Sequence, residues 1–308
     1  MIKNQMAEGR RQKAEMMRRS TTKTFRRVFF LCALLSALST LAMAQDQYRP
    51  IGKLPLGDQL LSLPSPQIPS QGTWEVKFSH RFNQPLSDGG LSDQIHSFFG
   101  LDTNADVVFG VSYAMRRDLE VSFSRSNTND TIESALKYVV LQQAPAVPLS
   151  LTLRGGADWR TEKNLDDRIS LFAQVIASRK IGNKVEVFAL PTFATNAGRA
   201  VGGNTSVAMF EHAFNVPVGV AFMIKRPLAV VVEVIPPNRD LADTIDTDFG
   251  WAVGLKRAIG GHWFEILLTN NQATFVDQYV TSTYQGAALD AGDIRLGFNI
   301  ERRFGKRR

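Results

Sequence analysis

Ile294-Arg295-Leu296-Gly297-Phe298-Asn299-Ile300-Glu301 places four apolar side chains on one face of an extended chain and Arg, Gly, Asn and Glu on the other. Side chains along a strand alternate between faces with a period of two, so the stretch reads as a strand with one apolar and one polar surface. The same period recurs upstream. Val107, Phe109, Val111 and Tyr113 oppose Asp106, Gly110 and Ser112; Leu149, Leu151 and Leu153 oppose Ser150, Thr152 and Arg154; Val185 and Val187 oppose Glu186; Val230, Val232 and Val234 oppose Glu233. Twelve such strands are predicted, at 74–83, 105–114, 119–126, 132–142, 149–159, 168–180, 184–194, 211–224, 228–235, 247–257, 262–270 and 292–304.

Their connections alternate. Short ones fall at 115–118, 144–148, 181–183, 225–227 and 259–261, and longer ones at 84–104, 127–131, 160–167, 195–210, 237–246 and 271–291. Most strands are near the ten or so residues that a tilted strand needs to cross a bilayer. An even number returns both chain ends to the short-turn side. The pattern therefore predicts an all-β fold, an antiparallel up-and-down transmembrane barrel with short periplasmic turns and longer extracellular loops. Alternation by itself fits a soluble barrel equally well, because only the direction of the apolar face differs. Long loops confined to one end favour the membrane form. Trp74, Trp159, Trp251, Tyr113 and Tyr138 lie where interfacial aromatic girdles would sit.

The formal charge of +7 comes from the N-terminus: residues 1–44 hold nine basic and two acidic side chains, leaving 36 − 9 = 27 basic against 29 − 2 = 27 acidic in the rest. A neutral chain has no net pull on a phosphate backbone, which argues against a nucleic-acid partner. The basic stretch precedes an apolar run, Val28 to Leu41, and then Ala42-Met43-Ala44. That order is expected of a secretory signal peptide at 1–44, cleaved near Ala44 after export by the Sec route. Cys32, the single cysteine, lies within it, so the mature chain is expected to carry no disulfide and no thiol chemistry. Residues 45–72 are rich in proline and leucine and read as a periplasmic segment or partial plug; 73–304 form the barrel, and 305–308 a basic tail.

Several motifs resemble an uncharacterised family of bacterial outer-membrane β-barrel proteins, catalogued as a domain of unknown function. They are Ser79-His80-Arg81-Phe82, Phe98-Phe99-Gly100-Leu101-Asp102, Leu136-Lys137-Tyr138, Gly261-His262-Trp263-Phe264 running on to Thr269-Asn270, and the terminal stretch through Phe298. The resemblance covers roughly Trp74 to Phe304. It implies a barrel and no activity. The last strand closes on Phe304, similar to the aromatic-ended signal read by barrel-assembly machinery, which is expected as a partner along with outer-membrane lipid. The tail after Phe304 departs from that signal.

With the apolar face toward lipid, the polar lumen set is Asp106, Glu120, Glu133, Lys137, Arg154, Asp158, Gln174, Glu186, Glu233, Asp248, Lys256, Glu265, Arg295 and Glu301. Buried charges must be paired or hydrated. The set therefore reads either as a conduit for a small polar solute, porin-like and non-enzymatic, or as a closed, salt-bridged interior whose barrel meets a partner through its outer loops. The four histidines show no metal-binding spacing, and no cofactor is expected. A lipid hydrolase is a minor alternative: His212 with Ser206 or Asn215 has no nucleophile elbow around it. For any ligand contact the first long loop, 84–104, is the leading choice, followed by the fourth and sixth.

Overall fold

The structure, a computed structural model, describes residues 56–86, 104–162, 169–198, 210–238, 247–284 and 293–305, with Ser92 and Ile95 as isolated positions. Twelve antiparallel strands close into a barrel. They are β1 (Trp74–Phe82), β2 (Ala105–Ala114), β3 (Leu119–Ser126), β4 (Thr131–Leu141), β5 (Ser150–Arg160) and β6 (Ile169–Ile181). Then come β7 (Val185–Ala189 and Thr192–Ala197), β8 (Phe210–Asn215 and Val218–Lys225), β9 (Leu228–Ile235), β10 (Gly250–Ile259), β11 (His262–Thr269) and β12 (Arg295–Phe304). Neighbours in the sheet are neighbours in sequence, and the ring shuts where β1 pairs with β12, from Trp74 opposite Phe304 to Arg81 opposite Gly297. Closure leaves no unpaired edge, the condition for β-structure within lipid.

The sequence reads β7 and β8 as continuous, but each is interrupted, at Leu190-Pro191 and at Val216-Pro217. Proline has no N–H to give to a ladder. The prolyl carbonyls still accept, from Val175 N at 2.9 Å and Leu190 N at 2.8 Å, so the wall holds across both breaks. The tenth strand starts three residues later than the sequence suggests. Thr247–Asp248 pairs instead with Thr283–Tyr284, so Asp248 is not a wall residue. The alternation of connections is also less regular than read: 127–130 is as short as 115–118, and 142–149 is longer than either.

Side-chain direction decides between the soluble and membrane forms. Arg81, Arg295 and Lys256 point inward and are at most 1 % exposed, whereas Ile266 is 65 % and Phe109 58 % exposed on the outside. Exposed Phe123, Leu136, Leu171, Phe222, Leu255 and Phe264 continue this apolar outer band around the ring. Water would penalise so large a bare apolar surface, and acyl chains do not. Trp74 and Tyr113 meet at a tilt, ring centroids 4.5 Å apart, beside the short turns, and Trp159 and Trp251 lie toward the other end, so the aromatics form two tiers. No helix among the described residues is long and apolar enough to span a membrane; the strands do the crossing.

Candidate functional site: a filled lumen

Two segments fold into the barrel, one from each end. From the short-turn end comes the described start of the chain, 56–69, in which Leu56, Leu60, Leu61 and Leu63 are fully buried. From the long-loop end comes 270–283, the stretch after β11, with a short helix α1 (Val276–Tyr279) at its centre. Phe275, Val276, Tyr279 and Val280 are buried there. The leucines join a single apolar cluster with Ile176, Phe188, Leu190, Met223 and Val231 of the wall and with Val276, Tyr279 and Val280. An empty lumen would hold water, so each leucine sheltered in it contributes about 1.5–3 kcal/mol.

The wall reads the backbone of the N-terminal segment. A tight turn, Leu60 N to Leu63 O at 2.8 Å, turns three consecutive N–H groups the same way. The Glu233 carboxylate collects all three, from Leu61 at 2.7 Å, Ser62 at 3.0 Å and Leu63 at 3.1 Å. Such a nest suits an anion, which explains an acid midway along the otherwise apolar β9. On the carbonyl side, Arg81 Nη2 at 3.0 Å and Asn299 Nδ2 at 2.8 Å donate to Leu61 O, and Lys256 Nζ donates to Gln59 O at 2.5 Å. Asp58 N donates to Glu301 Oε2 at 2.9 Å. Gly254 faces Leu61 so closely that an added Cβ would stand 2.8 Å from Leu61 Cδ2 and from Ile266 O.

Charges balance locally. Lys137 binds both Asp58 and Glu120, the latter at 2.9 Å; Lys256 binds Glu265 and lies 3.5 Å from Glu301; Glu265 also meets Asn299. Burial alone would raise the Asp58 carboxyl, but Lys137 and Lys77 hold it well below its ordinary value.

The last loop has its own anchors. Arg154 joins Glu133 at 2.5 Å and Gln174 at 2.9 Å, and Gln174 Nε2 donates to the Tyr279 hydroxyl at 2.6 Å. Arg160 Nη2 reaches Asp277 Oδ2 at 2.5 Å, while Asp277 N donates to Asp158 Oδ2 at 3.1 Å. Burial raises the Asp277 carboxyl, and Arg160 offsets only part of that. Burial likewise pushes the Tyr279 hydroxyl up.

Polar space remains beside β1–β5. A small polar cavity, with room for about one or two water molecules, is lined by Asp58, Gln59, Ser62 and Pro64 of the inserted segment, by Lys77, Ser122, Glu133, Lys137 and Arg154 of the wall, and by Thr274 and Tyr279. A second, about the size of a single water molecule, shares Asp58, Lys77 and Ser122 and runs along Gly110, Ser112 and Ser124. Lys77 lies 3.9 Å from Asp58, a loose pair beside the tight ones.

Of the lumen residues read from sequence, Lys137, Glu233, Lys256 and Glu301 grip the N-terminal segment, with Glu120 and Glu265 as their counter-charges. Glu133, Arg154 and Asp158 support the last loop, and Gln174 joins them. Glu186 is buried on β7; Arg295 binds Asn83 O at 3.0 Å at the rim; Asp106 is half-buried near the same end. Among the motif positions, Arg81 holds the inserted segment, and Asn270 caps the β10–β11 hairpin through Trp251 N and Phe249 O, each at 2.7 Å. His80 stacks on Phe298 at 5.1 Å beside Phe82, and His262 stacks on Phe264 at 5.9 Å, all on the outer side of the wall. Asp102 and Ser206 lie outside the described residues, as does most of the first long loop. His212 is exposed, whereas Asn215 is buried inward on the same strand, so the two do not converge. Sequence reading missed Asp58, Arg160, Asp277 and Asn299 as site residues. Asn299 carried a signal in its inward parity, whereas Asp58 and Asp277 sit in segments without a period.

An apolar exterior around a charged, filled interior defines a membrane-spanning β-barrel with an inserted segment at each end. The chain belongs to the family described as a membrane-bound beta-barrel domain (DUF5777), whose pattern matches residues 57–304. No curated protein matches the sequence. Among solved structures the chain is similar to the NanC porin, at 8 % identity over 76 % of this chain and 100 % of that one, TM-score 0.43. It is also similar to an outer-membrane channel from Pseudomonas putida F1, at 12 % identity over 77 % and 97 %, TM-score 0.43. A third is outer membrane phospholipase A from Escherichia coli, at 10 % identity over 75 % and 90 %, TM-score 0.37.

Proposed function

We propose that this barrel, exported by the Sec route and residing in the bacterial outer membrane, binds and passes a small polar solute without catalysis. The path runs through the gap between the inserted segments and the β1–β5 wall. The observation that carries this reading is the pair of polar cavities sharing Asp58, Lys77 and Ser122, next to the small side chains of Gly110, Ser112 and Ser124. The spaces have room for water in this state, and the mixed charges of Lys77, Glu133 and Arg154 suit a solute that both donates and accepts hydrogen bonds.

The test is conductance of the full mature barrel in planar bilayers. A small, steady conductance that Ser122→Phe reduces several-fold is expected. Deleting residues 56–69 is expected to raise it by an order of magnitude. A folded wild type that stays silent and retains no small solute overturns the reading. It would favour the second reading, a closed barrel that meets a partner through its outer loops, for which the apolar cluster around Leu60, Leu61 and Leu63 speaks.

A further inference from the structure

The chain beyond its first 44 residues is formally neutral, yet its short-turn end is not. Among the described residues at that end, Asp118 is the one acid that is not buried, and Arg116 takes it up through two contacts of 3.0 Å. Around it stand exposed Arg117, Arg179, Lys184, Lys225 and Arg226, with Arg257 and Arg302 on the outer side of the wall. None of these seven forms an ion pair with a described carboxylate. At the opposite end the exposed described charges are mixed, with Arg125 paired to Asp130 at 2.7 Å and Glu211 on β8.

The ladder places two of these arginines beside a histidine. Arg257 of β10 is opposite Phe264 of β11, and His262 of β11 is opposite Arg302 of β12. Arg257, His262 and Arg302 therefore occupy adjacent strands, one outward register step apart. The Arg302 guanidinium lies 4.7 Å over the Phe304 ring, and the His262 ring stacks on Phe264. Leu255, Ile300 and Phe264 continue the same face toward the membrane centre. A ligand here must offer an anion at the level of the aromatic tier and hydrocarbon just beyond it. A cation at the edge of low dielectric gains most from such a counter-charge.

We propose that the short-turn end is a collar for anionic phospholipid headgroups, with Arg257, His262 and Arg302 forming one phosphate cradle on the lipid-facing wall. The collar depends on the membrane barrel alone and not on the solute path. The acyl requirement set by Leu255, Ile300 and Phe264 selects a lipid over a soluble phosphate.

Native mass spectrometry of the full mature barrel in detergent tests this, with phosphatidylglycerol, phosphatidylethanolamine and glycerol phosphate added in turn. Phosphatidylglycerol is expected to be retained at least fivefold over phosphatidylethanolamine. Arg257→Gln and Arg302→Gln are each expected to lower its retention about fivefold, and Arg257→Lys far less. Arg125→Gln at the far end is expected to leave it unchanged. Equal retention of the two lipids overturns the proposal, as does a folded double variant with undiminished retention, or glycerol phosphate binding as well as the lipid. Should the double variant fail to fold, a wild-type retention insensitive to tenfold higher salt overturns it instead.

Discussion

Glu233 shows how much a single lumen side chain carries. Its carboxylate is the only described acceptor for the N–H groups of Leu61, Ser62 and Leu63 together, and no cation bonds to it in exchange. Glu233→Ala strands those donors, at a cost of about 1–3 kcal/mol for each buried group left unpaired. Cys32 is the single cysteine of the chain, so in a Cys32→Ser background Ser62→Cys reports exposure of the segment cleanly. Thiol labelling of Ser62→Cys is expected to speed up at least tenfold when Glu233→Ala is added, and only mildly with Glu233→Gln, which keeps an acceptor. Gly254 makes the complementary point, through space instead of charge. Gly254→Ala forces a methyl against Leu61 and the Ile266 carbonyl, and about 1–3 kcal/mol of overpacking is expected. Heat-modifiable gel mobility should shift at a lower temperature, with partial recovery in Gly254→Ala/Leu61→Ala because the Ile266 contact remains. Glu233 was legible in the sequence as an inward acid on β9. Its three partners were not, since nothing in Leu60-Leu61-Ser62-Leu63 announces a turn.

Two aspartates of the inserted elements answer acid in opposite senses. Asp58 has a depressed carboxyl, so its contribution is present above the ordinary value of 3.8 and is lost only as pH falls below it. Asp277 has a raised carboxyl, so it costs stability at neutral pH, and that cost is relieved as pH falls toward its ordinary value. Asp158, Glu133 and Arg154 share its surroundings, and Arg160 is its partner. Neither aspartate is on a membrane-crossing strand. As pH is lowered from 7 toward 4 the amides of Val276–Tyr279 are expected to exchange more slowly, after correction for intrinsic rates. Asp277→Asn should flatten that trend. At this scale the strands were the readable part: β2, β3 and β9 begin and end where period-two alternation does. The inserted elements follow no period. Their form is dictated by the wall, and a pattern search along the chain has nothing to find.

For the molecule as a whole, sequence showed the ring, whereas its inside-out chemistry waited on side-chain direction, because alternation alone fits a soluble barrel equally well. It left the lumen open between conduit and closed core. The answer lies in contacts such as Asp58 to Glu301 and Leu61 to Asn299, whose members are more than two hundred residues apart. Removing residues 56–69 should leave the ring closed, since β1 and β12 pair without them, and heat-modifiability of the deletion is expected to persist while its lumen admits a labelling reagent at Asn299→Cys.

The β1–β12 pairing has a consequence for how the protein comes to exist. Residues 56–69 leave the ribosome before any strand, but Asn299 and Glu301, which hold them, are among the last residues made. The earliest part of the barrel to be synthesised therefore receives its last anchors only with the closing strand. A chain stopped before Arg295 would keep the grip of Arg81, Glu233 and Lys256 on its own stopper and lose that of Asn299 and Glu301.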